Sequence, residues 1–222
     1  MDVHAQIAAV TRGLETKEVD GVLSYVQTLS QTYPAPIDDL WDAVTSAERI
    51  PRWFQPISGD LREGGTFQVE GNAGGEIRRC TPPSGGSAGY TVTWGMGAEP
   101  ALVHVRLTEV DATSTRFELE NVAAVASLPD GVWEQFGPSA TGMGWDSSML
   151  GLALHFSGGE AGISPEEAAA WVATDESKAF MRGSADAWAA AHEADGAAPA
   201  VARAAADTTY GMYVGEIPPP EM

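Results

Sequence analysis

The chain has 222 residues, of which 44% are apolar, so it can bury one large core or one core with an appendage. Acidic residues outnumber basic ones by 31 to 12, and the formal net charge is −19. Such a surface repels phosphate groups, which argues against nucleic acid and anionic membranes as partners. The single cysteine, Cys80, allows neither an intramolecular disulfide nor a thiolate metal cluster.

The N-terminal segment MDVHAQIAAVTRGLETKEVDG lacks a basic start followed by a long apolar core. We therefore expect no signal peptide and a cytoplasmic protein. The longest apolar stretch, GLALHF, is too short to span a bilayer. Residues 3–14 are compatible with a short amphipathic helix or a loose arm, so residues 1–20 are predicted to form one or the other.

Residues 21–33 alternate loosely between apolar and polar side chains, which predicts a long first strand. Pro36 is then placed to open a helix over IDDLWDAVTS. A second short helix is predicted over AERIPRW, and it leads directly to Trp53 and Phe54.

Several strand-like runs follow, in TFQVE, GEIRRC, YTVTWGM, ALVHVRLTEV and TRFELEN. They alternate between apolar and polar residues and are joined by short, turn-rich links, which indicates an antiparallel meander covered on one face. From Gly144 onward the apolar period changes to that of a helix, with a stripe that Gly158-Gly159 ends. The stripe consists of Trp145, Met149, Leu152 and Phe156.

Residues 160–214 are predicted to form a helical extension, beginning with a capping box over Ser164-Pro165-Glu166-Glu167. Its aromatic residues must pack on their own domain or on a second subunit, which favours a homodimer. We expect residues 215–222 to be disordered.

The segments YPAPIDDLWDAVTSAERIPRWF and GDLREGGTFQVE are followed by Gly75-Glu76, Pro82-Pro83, Thr93-Trp94 and Gly144-Trp145. In this order they resemble the SRPBCC (START-like, birch-pollen-allergen-like) superfamily. Within that superfamily they look like the bacterial branch related to the activator of heat-shock-protein-90 ATPase. The resemblance covers about residues 21–157. It implies an α+β helix-grip fold, in which a curved antiparallel sheet wraps around a long C-terminal helix.

The resemblance also implies a cavity between the sheet and the long helix, with Trp53 and Phe54 at its rim. The residues expected to line it are Trp53, Phe54, Phe67, Trp94, Phe117, Trp145 and Met149. An apolar pocket with few polar groups suits a lipid-like or polyketide-like molecule. The same residues would also serve as an ordinary filled core, and the sequence leaves both alternatives open.

No catalytic constellation is recognisable, since the chain has no H-E-x-x-H, G-x-S-x-G or P-loop motif. We therefore expect no catalytic residue, no metal and no cofactor. Asp146 and Glu134 flank the apolar stripe, where a buried carboxylate would be a candidate acid or base. We expect both to face solvent.

Three functions follow from these observations. We favour a carrier or sensor of a small apolar molecule, whose signature would be a cavity of several hundred cubic ångströms. The alternatives are a protein-interaction module, similar to the chaperone co-factor that gives the group its name, and an enzyme of the cyclase or hydrolase type. Fold resemblance alone does not choose among them.

Overall fold

The computed structural model describes residues 2–95, 99–157 and 170–218. Within them one antiparallel sheet has the order β1-β2-β8-β7-β6-β5-β4-β3. The strands span Thr11–Val19 (β1), Val22–Tyr33 (β2), Ile57–Gly59 (β3), Thr66–Val69 (β4), Gly74–Ser84 (β5), Ser87–Trp94 (β6), Ala101–Asp111 (β7) and Ser114–Ala124 (β8). The helices span Val3–Ala9 (α1), Ile37–Thr45 (α2), Val132–Phe136 (α3), Ser139–Ser157 (α4), Asp175–Ala194 (α5) and Pro199–Tyr213 (α6).

The sheet curves around α4, and this α+β arrangement confirms the helix-grip fold expected from the sequence. Alternation along β7 shows how the sheet is built: Val103, Val105 and Leu107 are buried, whereas Arg106 and Thr108 are exposed. One face of the sheet therefore belongs to the core. None of the helices in the described ranges is both long and apolar enough to cross a membrane.

The N-terminal region differs from the sequence prediction. Thr11–Val19, which we assigned to an arm or short helix, forms β1 and pairs along its whole length with β2. Asp20 (φ 52°) and Gly21 (φ 80°) make the tight turn between the two strands. An Asp-Gly pair is favoured there because both central residues of such a turn need a positive φ. The sheet thus begins at Thr11 rather than near residue 21.

Three other boundaries also differ. The second short helix is reduced to a 3-10 turn over Ile50–Arg52. Strand β5 runs through Pro82-Pro83, where its register with β6 becomes irregular. Helix α4 begins at Ser139, ahead of Gly144. The predicted helix end at Gly158-Gly159 and the capping box lie outside the described residues.

Helix α4 is buried on two sides, although the sequence predicted a single apolar stripe. Trp145, Met149 and Leu152 face the sheet. Gly142 faces α5, because a Cβ added there would lie 2.2 Å from Cε2 of Trp188. The long helix is therefore held between the sheet and the C-terminal extension.

The carboxylate of Asp146 joins three elements at this second face of α4. Nε of Arg12, in β1, donates to both carboxylate oxygens at 3.0 Å. From α5, the hydroxyl of Ser184 and Nε1 of Trp188 donate to Oδ2, the latter at 3.0 Å. The expectation that Asp146 faces solvent is wrong, since its exposure is 1%, whereas Glu134 is exposed as expected. The extension covers this face of α4, which the local pattern could not show.

The extension packs back on its own chain. Phe180 and Trp188 are fully buried within the chain, and the backbone N–H of Thr16 in β1 donates to Oδ1 of Asp195 at 2.9 Å. The apolar surface that led us to favour a homodimer is thus largely covered without a second subunit. The oligomeric state stays a prediction.

We expect Asp146→Ala to lower the free energy of unfolding by about 3–5 kcal/mol, because Arg12 would stay buried without its counter-charge. Asp186→Ala is the matched control. Asp186 also pairs with arginines, but at the surface, where such pairs contribute about 0–1 kcal/mol. Urea unfolding followed by circular dichroism compares the two variants. Equal losses would contradict the role given to Asp146.

We expect removal of residues 160–222 to give an aggregation-prone protein. The deletion would uncover the face of α4 that carries Gly142 and Asp146, and it would leave the Asp146–Arg12 pair open to water. Removal of residues 219–222 alone is the control, and this shorter deletion should leave the protein soluble and monodisperse. Light scattering during size-exclusion chromatography tests both, and a soluble, monodisperse 1–159 fragment would contradict the expectation.

Candidate functional site

A cavity of about 130 Å³ lies between the inner face of the sheet, α4 and the segment that follows α2. Its wall includes Trp53, Phe54, Phe67, Trp94, Phe117, Trp145 and Met149, the residues named from the sequence, whose role in binding a ligand stays a prediction. The other lining residues are Val44, Thr45, Ile50, Ile57, Leu61, Val69, Ile77, Cys80, Tyr90, Val92, Val103, Val105, Leu119, Ser148 and Leu152. The core of the grip is therefore not completely filled.

The volume of the cavity limits what it can hold. One water needs about 10–15 Å³ of such space, so the cavity has room for roughly ten waters or for a small organic molecule. Most ligand pockets are larger, at about 300–1,000 Å³. The several hundred cubic ångströms expected of a carrier are not present in this conformation. A larger ligand requires the wall to move.

An aromatic cluster forms one end of the cavity and joins three parts of the fold. The ring centroid of Trp94, in β6, lies 5.0 Å from that of Trp145 in α4 and 5.8 Å from that of Phe67 in β4. Phe54 lies 6.4 Å from Trp94 and 5.6 Å from Trp53. These spacings are those of favourable aromatic pairs. Trp94 and Trp145 therefore pack against each other across the sheet–helix interface.

The cap segment, residues 37–57, closes the cavity through backbone contact with α4. Nε1 of Trp53 donates to the carbonyl of Ala43 at 2.8 Å, which fixes the indole against α2. A Cβ added at Gly151 would lie 2.2 Å from the carbonyl oxygen of Trp53. Only glycine permits this approach, so Gly151 determines how tightly the cap segment sits on the helix.

A second contact joins the cap segment to α4 at its C-terminal end. Nη2 of Arg49 lies 3.0 Å from Nε2 of His155. Burial, together with the charges of Arg49 and Arg52, lowers the pKa of His155, so its ring is neutral near pH 7 and accepts the hydrogen bond. Arg49 also pairs with the carboxylates of Asp39 and Asp42. The cap segment is therefore held by polar contacts at its outer edge and by apolar packing at its inner edge.

Few polar groups line the cavity, and only some of them are paired. The hydroxyls of Thr45 and Ser148 donate to carbonyls of their own helices. The hydroxyl of Tyr90 and the thiol of Cys80 make no hydrogen bond with any described residue. Burial raises the pKa of both groups, so both stay protonated at neutral pH. Strand alternation placed Tyr90 on the inner face, but no sequence signal marked its hydroxyl as unpaired.

Two other polar side chains of the sheet, Glu76 and His104, do not line the cavity. Glu76 pairs with Arg78 at 3.2 Å on the exposed sheet. His104 lies on the outer face, with Nδ1 3.0 Å from the hydroxyl of Thr91. Within residues 2–95, 99–157 and 170–218, no group of three or more histidine, cysteine or acidic side chains is arranged to hold a metal. The expected lack of a metal or cofactor stays a prediction.

Comparison with known proteins gives one family and a consistent set of folds. The sequence model of the family described as Activator of Hsp90 ATPase homolog 1-like protein matches residues 34–156. The crystal structure of CalU16 from Micromonospora echinospora is 30% identical, covers 85% of this chain and 99% of its own, and gives a TM-score of 0.62. The solution NMR structure of CalU16 is also 30% identical. The match covers 84% of this chain and 97% of CalU16, with a TM-score of 0.64.

A conserved protein from Enterococcus faecalis, 13% identical, covers 82% of this chain and 91% of its own with a TM-score of 0.54, which shows similarity of fold alone. No curated protein matches the chain. The likeness to CalU16 extends beyond residues 34–156, because it covers a much larger share of this chain than the family match does.

We expect Gly151→Ala to lower the free energy of unfolding by about 1–3 kcal/mol, because the new methyl group would push the cap segment away from α4. Gly144→Ala in the same helix is the control. It gains the same helix propensity, and its Cβ would lie 3.2 Å from the Tyr213 hydroxyl, at the movable end of a side chain. The control should be neutral or stabilising by up to about 1 kcal/mol. Thermal and urea unfolding test the difference, and equal effects would contradict it.

Proposed function

The chain belongs to the Activator of Hsp90 ATPase homolog 1-like family, and for this member we propose binding of a small apolar molecule in the cavity between the sheet and α4. The observation that carries the proposal is an unfilled cavity with an almost entirely apolar and aromatic wall. A shared fold does not fix a function, so the proposal rests on the cavity rather than on the family description.

The character of the wall supports a lipid-like or polyketide-like ligand. Apolar surface gains roughly 25 cal/mol for each square ångström removed from water, so an apolar molecule of matching shape would be held without any charge. Aromatic side chains from the cap segment, the sheet and the helix would contact it together. A ligand larger than the present space would have to displace the cap segment at Trp53 and Phe54.

The same wall argues against a cyclase or hydrolase. General acid–base catalysis needs a group that titrates near the working pH. The titratable side chains among the described lining residues are Cys80 and Tyr90, and burial raises the pKa of each. Both stay neutral at pH 7, which favours binding over proton transfer.

The described surface gives little support to a protein-interaction module. The exposed large apolar side chains are Val22, Leu23, Val110, Val172, Val201 and Ile217. Val22 and Leu23 lie together at the start of β2, whereas Val110 lies in β7 and Val201 in α6. Single exposed apolar residues are ordinary. A homodimer that uses the extension stays a separate prediction, and sedimentation at micromolar concentration would reject it by showing a monomer.

Native mass spectrometry of freshly purified protein tests whether a small molecule co-purifies. Calorimetry with 2-isopropylnaphthalene, a purely apolar probe, tests the cavity directly. We expect Val92→Phe, which fills the cavity from β6, to weaken binding of this probe at least about tenfold. Thr91→Phe, one residue away on the outer face, is the matched control and should leave binding unchanged.

Two results would contradict the proposal. One is the absence of both a co-purified molecule and any binding of 2-isopropylnaphthalene up to its solubility limit. The other is an equal loss of binding in Val92→Phe and Thr91→Phe, since that would place the probe outside the cavity.

A further inference from the structure

We propose that the hydroxyl of Tyr90 is the hydrogen-bond donor that recognises the ligand, so that the cavity selects a neutral apolar molecule carrying an acceptor oxygen, such as an aryl ketone. This inference rests on the proposed binding function and names the ligand class for that site. It predicts discrimination in two directions, against a hydrocarbon of the same shape and against a carboxylate.

Tyr90 occupies a fixed position within the sheet that forms the cavity wall. Its Cα pairs with that of Cys80 in β5 and with that of Val105 in β7, and both partners also line the cavity. The ring of Trp41 in α2 meets the Tyr90 ring edge-on, with 6.3 Å between centroids. The backbone ladder and this aromatic contact together hold the phenol ring in place.

The Tyr90 hydroxyl makes no hydrogen bond with any described residue. The residue is half-buried and lines the cavity, so its side chain is not completely enclosed by the surrounding protein. Burial in this wall raises the pKa of Tyr90. A buried hydroxyl without a partner loses the hydrogen bonds that it makes in water, and an acceptor atom on a ligand would restore one.

A second unpaired donor, Nε1 of Trp145, is less suited to this role. That nitrogen is completely enclosed by the surrounding protein, so a molecule in the cavity does not reach it unless the wall moves. Of these two donors Tyr90 is the more accessible. Nε1 of Trp94 also makes no hydrogen bond with a described residue, and the Tyr90→Phe variant separates its contribution from that of the hydroxyl.

The electrostatics of the cavity favour a neutral ligand. Among the described residues that line it there is no lysine, arginine or histidine, and the whole chain carries a net charge of −19. A carboxylate would lose its hydration there without gaining a counter-charge. Because burial and the neighbouring Cys80 raise the pKa of Tyr90, its hydroxyl keeps its proton at neutral pH and remains a donor.

The test uses three probes of matched shape: 2-acetylnaphthalene, 2-isopropylnaphthalene and 2-naphthoate. Calorimetry measures their affinities for the full chain, for Tyr90→Phe and for Tyr25→Phe. The control residue Tyr25 stacks on Trp133, with 3.4 Å between centroids, and does not line the cavity. Tyr25→Phe therefore removes a tyrosine hydroxyl outside the cavity, where its loss should not affect the binding of the probes.

We expect the ketone to bind about three- to tenfold more tightly than the hydrocarbon, and the carboxylate to bind most weakly. Tyr90→Phe should abolish the advantage of the ketone and leave the affinity for the hydrocarbon unchanged, which also shows that the variant is folded. Tyr25→Phe should change none of the three affinities.

The outcomes separate this inference from the proposed function. Binding of the hydrocarbon with no advantage for the ketone, or an advantage that survives Tyr90→Phe, overturns the role of Tyr90 and leaves apolar binding intact. So does tightest binding of the carboxylate. Loss of both neutral probes in Tyr90→Phe also counts against the inference, because a role confined to the oxygen predicts loss for the ketone alone. Failure of both neutral probes to bind the unmodified protein rejects the proposed function as well.

Discussion

The buried carboxylate of Asp146 sets the arrangement on which the rest of the structure depends. A charge away from water is tolerated when it is both paired and hydrogen-bonded. Arg12 supplies the pairing from β1, while Ser184 and Trp188 supply further hydrogen bonds from α5. The first strand and the extension must therefore be in place together. The hydrogen bonds from Arg12, Ser184 and Trp188 to Asp146 fix the rotation of α4 about its axis. They thereby also fix the position of Trp145 in the cavity wall.

Most of the sheet and the wall of the cavity could be predicted from the sequence because the information is local. Alternation along β6, β7 and β8 reflects a sheet with one buried face, so inward residues such as Trp94 and Phe117 are visible as a pattern. Strand β1 was missed because it carries little of this pattern: in TRGLETKEV only Leu14 is buried. The Asp20-Gly21 pair was the remaining local signal for a hairpin.

The rest of the site depends on contacts between distant parts of the chain. Asp146 and Ser184 are 38 positions apart, so the periodicity around Asp146 gives no sign that a second helix covers it. The volume of the cavity is also beyond local patterns. Interiors are close-packed, and the space left between Trp53, Phe67 and Met149 is a small difference between large side-chain volumes. A sequence can show which residues converge, but it cannot show how completely they fill the space.

The pairing of β1 with α4 and with the end of α5 also limits the order in which these contacts can form during synthesis. Arg12 is made 134 positions before Asp146, and Thr16 is made 179 positions before Asp195. While the ribosome is still translating the middle of the chain, β1 can pair with β2, but the side chain of Arg12 does not yet have Asp146 as its partner. Contacts that close so long a loop form slowly, because the chain must lose much of its freedom first. The cover over the Arg12–Asp146 pair is therefore completed only after α5 has emerged, although β8 has been made long before.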